Sequence, residues 1–221
     1  MILWNFFKSI YFQHKDFWTK ERCALLIGGI LFFVAALVLQ GVAGRYLASV
    51  VGTPVNDLIL KYLPLLDIDL LIVQGALVLT FILIWLFLTK PKYLLFALKA
   101  LALFVMIRSF FITLTHLGIS PHQLVFDANS FGFGLYNFLY NSKSDFFFSG
   151  HTGVPFLMGL IFWPEKWWRI FFFTVSFLFG CGVLIARVHY SIDVFAAPFI
   201  TYAIFAMAKK LFPKDYFLLR S

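Results

Sequence analysis

Residues 69–89 read DLLIVQGALVLTFILIWLFLT. After Asp69 no charged residue occurs until Lys90. At 1.5 Å of rise per residue, a helix of about 20 such residues is about 30 Å long, the thickness of a bilayer's hydrocarbon core. The stretch is therefore read as a transmembrane helix. Five other stretches have the same character and run over about 24–44, 93–115, 148–163, 167–187 and 190–208. The one at 148–163 is short unless it extends back through Phe146 and Phe147. The expected fold is all-α, a polytopic integral membrane protein of six transmembrane helices.

Composition agrees. Of the 221 residues, 62% are hydrophobic and 13% charged, against about 45–50% and about 25% in soluble domains. Phe alone accounts for 31 positions. A soluble core could not hide that much apolar surface. The same figures exclude intrinsic disorder and a nucleic-acid-binding module. Cys23 and Cys181 lie in or beside apolar runs and form neither a disulfide framework nor a zinc motif.

The net charge of +8 is a topology signal. Of the 18 Lys and Arg, 12 flank the termini or the short connections 90–92 and 164–166: Lys8, Lys15, Lys20, Arg22, Lys90, Lys92, Lys166, Arg169, Lys209, Lys210, Lys214 and Arg220. The longer connections, 45–68 and 116–147, hold only Arg45, Lys61 and Lys143. Positive charge collects on the cytoplasmic side, so both termini are expected there and the long loops outside. Residues 1–23 carry apolar positions at helical spacing with Lys8 and Lys15 between them, the pattern of an interfacial amphipathic segment. Residues 24–210 then form one membrane domain and 211–221 a cytoplasmic tail.

Three cations stay within or beside the spans, each costing roughly 2.5–3.5 kcal/mol at a helix centre. Lys99 lies about two turns from the cytoplasmic end and can snorkel outward. Arg108 sits in the outer half of the third span, and Arg187 closes the fifth. His151, His189 and Asp193 fall at the same outer depth. Five polar groups from four helices at one level mark a functional site, because intramembrane ionisable groups are expensive.

The chemistry available is anion chemistry. In Phe148-Ser149-Gly150-His151-Thr152, Gly150 permits close backbone approach. Ser149 and Thr152 bring hydroxyls to a helix start whose N–H groups suit a phosphate. His151 can deliver a proton to a leaving oxygen. In His189-Tyr190-Ser191-Ile192-Asp193, the i,i+4 spacing sets His and Asp on one helix face. Asp193 can fix the imidazole tautomer and leave the other nitrogen to attack phosphorus. Arg108 and Arg187 can bind phosphate oxygens bidentately. His151, His189 and Asp193 could also ligate zinc, but two arginines beside them favour an anion. No G-x-S-x-G or H-E-x-x-H motif occurs.

FSGHT at 148–152 and HYSID at 189–193 resemble two signature motifs of the phosphatidic acid phosphatase superfamily of membrane lipid phosphatases. The wording is nearest the sphingomyelin synthase-like branch, whose first motif reads D-x-x-F-S-G-H-T, with Asp145 in the matching place. Arg108 with Thr113 resembles that branch's arginine motif, and Pro54-Val55-Asn56-Asp57 its proline-rich outer loop. The departures are Lys143-Ser144 in place of Cys-Gly, a sixth helix without that branch's distal Arg and Tyr-His, F-S-G-H where the common phosphatases read P-S-G-H, and Val183 where they carry an arginine. The resemblance covers about residues 50–205.

It implies His189 as nucleophile, Asp193 as its orienting partner and His151 as acid or base. Arg108, Arg187, Ser149, Gly150 and Thr152 would hold phosphate, with Asp145 and Tyr190 in support. It also implies no metal or cofactor, a lipid substrate, a phosphohistidine intermediate and an extracytoplasmic active site. The small size leans toward a bacterial inner membrane. Three alternatives stay open: transfer to a lipid hydroxyl, plain hydrolysis of a lipid phosphate or polyprenyl diphosphate, and a silent scaffold or transporter. In the loop 116–147, the segment Ser130–Tyr136 suits either a lid or an aromatic anchor at headgroup level.

Overall fold

The computed structural model describes residues 2–50, 52–120, 122–140 and 147–220. No strand occurs among them. The helices are α1 (Ile2–Phe17), α2 (Lys20–Ser49), α3 (Gly75–Thr89, opened by a π turn at Leu70–Gln74), α4 (Pro91–Leu114), α5 (Phe133–Tyr140), α6 (Gly150–Ile161), α7 (Lys166–Ile185), α8 (Ser191–Leu211) and α9 (Pro213–Arg220).

Among the described residues, five helices are long and apolar enough to cross a membrane: Lys20–Ser49, Leu70–Thr89, Pro91–Leu114, Lys166–Ile185 and Ser191–Leu211. The expected span at 148–163 is a shorter element. α6 has 12 residues, or about 18 Å. Ser149 caps it, accepting from Thr152 N at 3.4 Å, and the helix stops at Ile161 ahead of Pro164. Its side chains from Leu157 through Ile161 are buried, so its apolar character serves protein packing.

α6 lies against α4, α7 and α8. Gly153 makes the approach possible: a Cβ there would stand 2.7 Å from the Phe104 ring and 3.0 Å from Thr201 Oγ1. α2 runs along α4 through Gly29, Ala36, Ala43 and Leu47. The first three are small and seven residues apart, which keeps one close-packing seam facing α4. The rest of α2 is largely bare.

The two ends of the bundle carry different contacts. At one end, Lys90 pairs with Glu165 at 2.8 Å, joining the short α3–α4 and α6–α7 connections. His14 Nε2 bonds Leu88 O at 2.6 Å there, so α1 gathers at the same end. α9 folds back on α4 and α8 through Tyr216, whose ring centroid lies 5.2 Å from that of Phe96 and 6.2 Å from that of Phe205. Within the segment expected to be a cytoplasmic tail, residues 213–220 form this docked helix. Lys99 does not snorkel. It is buried and bonds Asp215 Oδ2 at 2.7 Å, because α9 brings a carboxylate to it.

At the other end the long loops cross. Gly118 N donates to Thr53 O at 3.1 Å. Both strands of chain need glycine there, since a Cβ on Gly52 would fall 1.7 Å from His116 O and one on Gly118 2.5 Å from Gly52 O. Leu124 N donates to Ala186 O at 2.9 Å, tying the second loop to the end of α7.

Candidate active site

The two histidine motifs meet at this loop-covered end. Ser149 N donates to Asp193 O at 3.0 Å, a backbone bond joining the start of α6 to the first turn of α8. The His151 and His189 rings then stand 6.3 Å apart, centroid to centroid, at 66°. Arg108 comes in from α4. Its Nε donates to Phe148 O at 2.7 Å, and its Cζ would be 3.6 Å from a Cβ on Gly150. The guanidinium therefore lies over the start of α6, where N–H groups and the helix dipole already favour an anion.

Asp193 is fully buried. Its Oδ2 accepts from Tyr190 N at 2.9 Å, capping α8, and approaches His189 Nδ1 at 3.4 Å. One carboxylate thus ends the chain reversal and orients the imidazole. Nε2 is the His189 nitrogen opposite that contact. Asp193 Oδ1 has no hydrogen-bond partner among the described residues.

The turn before His189 is braced from outside. Arg187 adopts φ 56°, a left-handed conformation that costs a non-glycine residue about 1 kcal/mol or more. Its Nη2 donates to the carbonyls of Leu60 and Leu63, each at 3.3 Å. Asp57 accepts from Ser191 N at 2.6 Å with Oδ2, and from Ile59 N and Leu60 N at 2.9 and 3.1 Å with Oδ1. Burial raises the Asp57 carboxyl, but the bonds from Ser191, Leu60 and Ile59 outweigh it and leave it below the usual carboxylate range. Tyr190 OH donates to Gly118 O at 2.9 Å and accepts from Val55 N at 3.3 Å.

A cavity of about 280 Å³ opens on the site. Arg108, Gly150, His151 and His189 line its polar end. Phe33, Leu37, Leu101 and Val105 line an apolar continuation between α2 and α4.

The expected residues thus fall into three groups. His151, His189, Gly150 and Arg108 share the cavity wall. Asp193, Ser149, Thr152 and Tyr190 lie behind it: Thr152 Oγ1 bonds Ser149 Oγ at 3.3 Å, and Thr152 O accepts from Ser176 Oγ at 2.8 Å. Arg187 stands aside, engaged with loop carbonyls and not among the cavity-lining residues. Asp145 lies outside the described residues. Thr113 Oγ1 bonds its own helix at Phe110 O, 2.7 Å away. Among the described residues no three His, Cys, Asp or Glu side chains converge as metal ligands.

Two contributors were not singled out by the sequence reading. Asp57 belongs to a stretch noted only for its resemblance to a proline-rich loop. Tyr136, on α5, places its hydroxyl 3.1 Å from His151 Nε2. Neither contact follows a helical or strand period, so no spacing rule could find it.

Two histidines, one backed by a carboxylate, thus face one cavity beside an arginine and a helix start, in a chain with helices long and apolar enough to cross a membrane. The comparison with protein families points the same way: the family model "PAP2 superfamily C-terminal" matches residues 144–211. The match spans under a third of the chain and contains both histidine motifs. It supports the phosphatidic acid phosphatase superfamily, whose members are generally phosphatases. No curated protein and no solved structure matches the chain.

Proposed function

We propose that the protein is a membrane lipid phosphatase or phosphotransferase of the sphingomyelin synthase-like kind, working through a phosphohistidine. The observation that carries the reading is the convergence of His151, His189 and Arg108 on one cavity, held by the Ser149–Asp193 backbone bond. The apolar continuation past Phe33 and Leu37 supports a substrate with a hydrocarbon chain.

Two balanced steps make up the reaction. Nε2 of His189 attacks phosphorus, a P–N bond forms, and the P–O bond to the leaving group breaks. His151 gives its proton to the departing oxygen while Asp193 supports the charge growing on His189. Arg108 and the first N–H groups of α6 bind the phosphoryl oxygens. In the second step His151 takes a proton from the acceptor hydroxyl. That oxygen forms the new P–O bond as the P–N bond breaks. Water as acceptor makes a phosphatase, and a lipid hydroxyl makes a transferase.

In this reading α6 and the turn after it form a sixth crossing. Ser149 bonds Asp193 at one end of the bundle and Glu165 bonds Lys90 at the other, which supports a full traverse. Both termini are cytoplasmic, by the clustering of positive charge. The site faces the extracytoplasmic side of a bacterial inner membrane. α1 lies along the cytoplasmic interface.

The test uses purified protein in mixed micelles. Phosphatidate, ceramide phosphate, a polyprenyl diphosphate, phosphatidylcholine and phosphatidylethanolamine are each supplied with and without ceramide or diacylglycerol. Free phosphate or a new phospholipid is expected from wild-type protein, and neither from His189→Ala or His151→Ala. Wild-type rates in both folded variants would refute the mechanism.

A further inference from the structure

The outer-loop helix α5 sits against the acid–base histidine. Tyr136 OH and His151 Nε2 are 3.1 Å apart. The Tyr140 ring stacks on the His151 ring, 6.0 Å between centroids at 25°, and Phe179 meets it edge-on at 6.0 Å and 87°. α5 is itself fastened to the bundle. Gln74 Nε2 donates to Phe131 O at 2.8 Å, and Tyr140 OH bonds Thr80 Oγ1 and donates to Ala76 O at 3.3 Å. The Phe126 ring packs edge-on against Tyr136 at 5.9 Å. The phenol is thus presented to His151 by a fixed element.

Burial pushes the Tyr136 phenol well above its ordinary range, and Tyr140 and Asp69 push it further the same way. The group therefore stays O–H through neutral pH. It can donate to a neutral imidazole or accept from an imidazolium. The second bond is charge-assisted and about twice as strong as the first.

We propose that Tyr136 is a positioning residue for His151: it holds the ring by Nε2 and favours its protonated form, so that α5 belongs to the acid–base machinery. The proposal rests on the reading of His151 as acid and base. Among the described residues, the other groups around His151 include Tyr140 on α5, Arg108 on α4, His189 in the α7–α8 turn and Asp193 behind it on α8; Phe179 on α7 carries no charge. All of them persist in Tyr136→Phe, which keeps the ring and removes only the hydroxyl.

The experiment follows the His151 ring signal against pH in full-length protein labelled with ¹⁵N-histidine, in micelles without substrate. His151→Gln assigns the signal. The expected result in Tyr136→Phe is a midpoint lowered by about 0.5–1 pH unit, the size of one lost charge-assisted bond relative to a neutral one. The alkaline limb of kcat/KM for lipid turnover should move down equally. 3-Fluorotyrosine at position 136 weakens the phenol as acceptor without emptying its place, and should lower the midpoint by a smaller amount. An unchanged or raised midpoint in Tyr136→Phe or in the fluorinated protein would overturn the proposal. If wild-type protein turned over no lipid, the proposed function would fall, whereas the titration without substrate would still decide the role of Tyr136.

Discussion

Asp215→Ala should loosen the end of the molecule remote from the site. Lys99 Nζ and Asp215 Oδ2 are 2.7 Å apart, with side chains 10% and 3% exposed. Lys99 is about 12 Å along α4 from Pro91 at 1.5 Å per residue. Removing one member of a buried pair leaves the other charge uncompensated, at a cost of about 3–5 kcal/mol. α9 offers relief: it can swing out and admit water to Lys99. That movement exposes Leu219, now 2% exposed and worth about 1.5–3 kcal/mol of burial, and the half-buried Tyr216 ring between Phe96 and Phe205, which adds to that.

The two routes cost about the same, so α9 undocks locally while the bundle persists. Limited trypsinolysis in micelles reads this at Lys209, Lys210 and Lys214. A loss of about 3 kcal/mol raises the undocked population roughly 100-fold (10-fold for each 1.4 kcal/mol), and cleavage should rise with it. Lys99→Met with Asp215→Leu removes both charges and should be cleaved less than either single variant. Equal resistance of Asp215→Ala and wild type would refute the reasoning. So would strictly additive effects in the double variant.

Other outcomes follow from the site. Arg108→Lys keeps a charge but loses the bond to Phe148 O and the planar fork, so kcat/KM should fall about 10²–10³-fold, the loss typical of a transition-state donor; an unchanged steady-state profile would remove Arg108 from catalysis. Asp57→Ala should release the first outer loop from Ser191 and lower stability by about 2 kcal/mol in thermal melts, given three lost backbone donors to a charged acceptor. The Asp57 carboxyl is lower in the folded protein than its ordinary value of 3.8. It therefore stabilises the fold above about pH 4, and that contribution fades as pH falls through the folded value. The acid-side loss of stability should accordingly be shallower in Asp57→Asn than in wild type. Gly153→Ala drives a methyl to 2.7 Å from Phe104 and should destabilise by about 1–3 kcal/mol, with turnover falling because α6 carries His151.

Much of the site was legible because its parts are local. His189 lies in the turn before α8 and not on the helix face its spacing suggested, yet Asp193, which caps that turn, still reaches it; Ser149 caps the helix that His151 enters. Such relations depend on capping chemistry, which operates over three or four residues. Arg108 was legible for another reason: a buried guanidinium among apolar residues is too costly to be idle.

The fourth span shows where the reading stopped. An apolar run over 148–163 satisfies hydropathy whether it faces lipid or protein. Gly153 against Phe104, and Pro164 after Ile161, made it a short helix buried among α4, α7 and α8. Arg187 shows the same limit. Its charge and depth matched those of Arg108, yet its guanidinium went to the carbonyls of Leu60 and Leu63.

By itself, then, the sequence determined an apolar helical bundle and the two histidine motifs, which depend on composition or on residues close together in the chain. Tertiary structure decided what no period encodes: Asp57 on Ser191, Tyr136 on His151, and Asp215 on Lys99. These pairs are 134, 15 and 116 residues apart. A contact that closes so long a loop is chosen by the packing of whole helices, because only that packing sets which polar groups are left to satisfy one another.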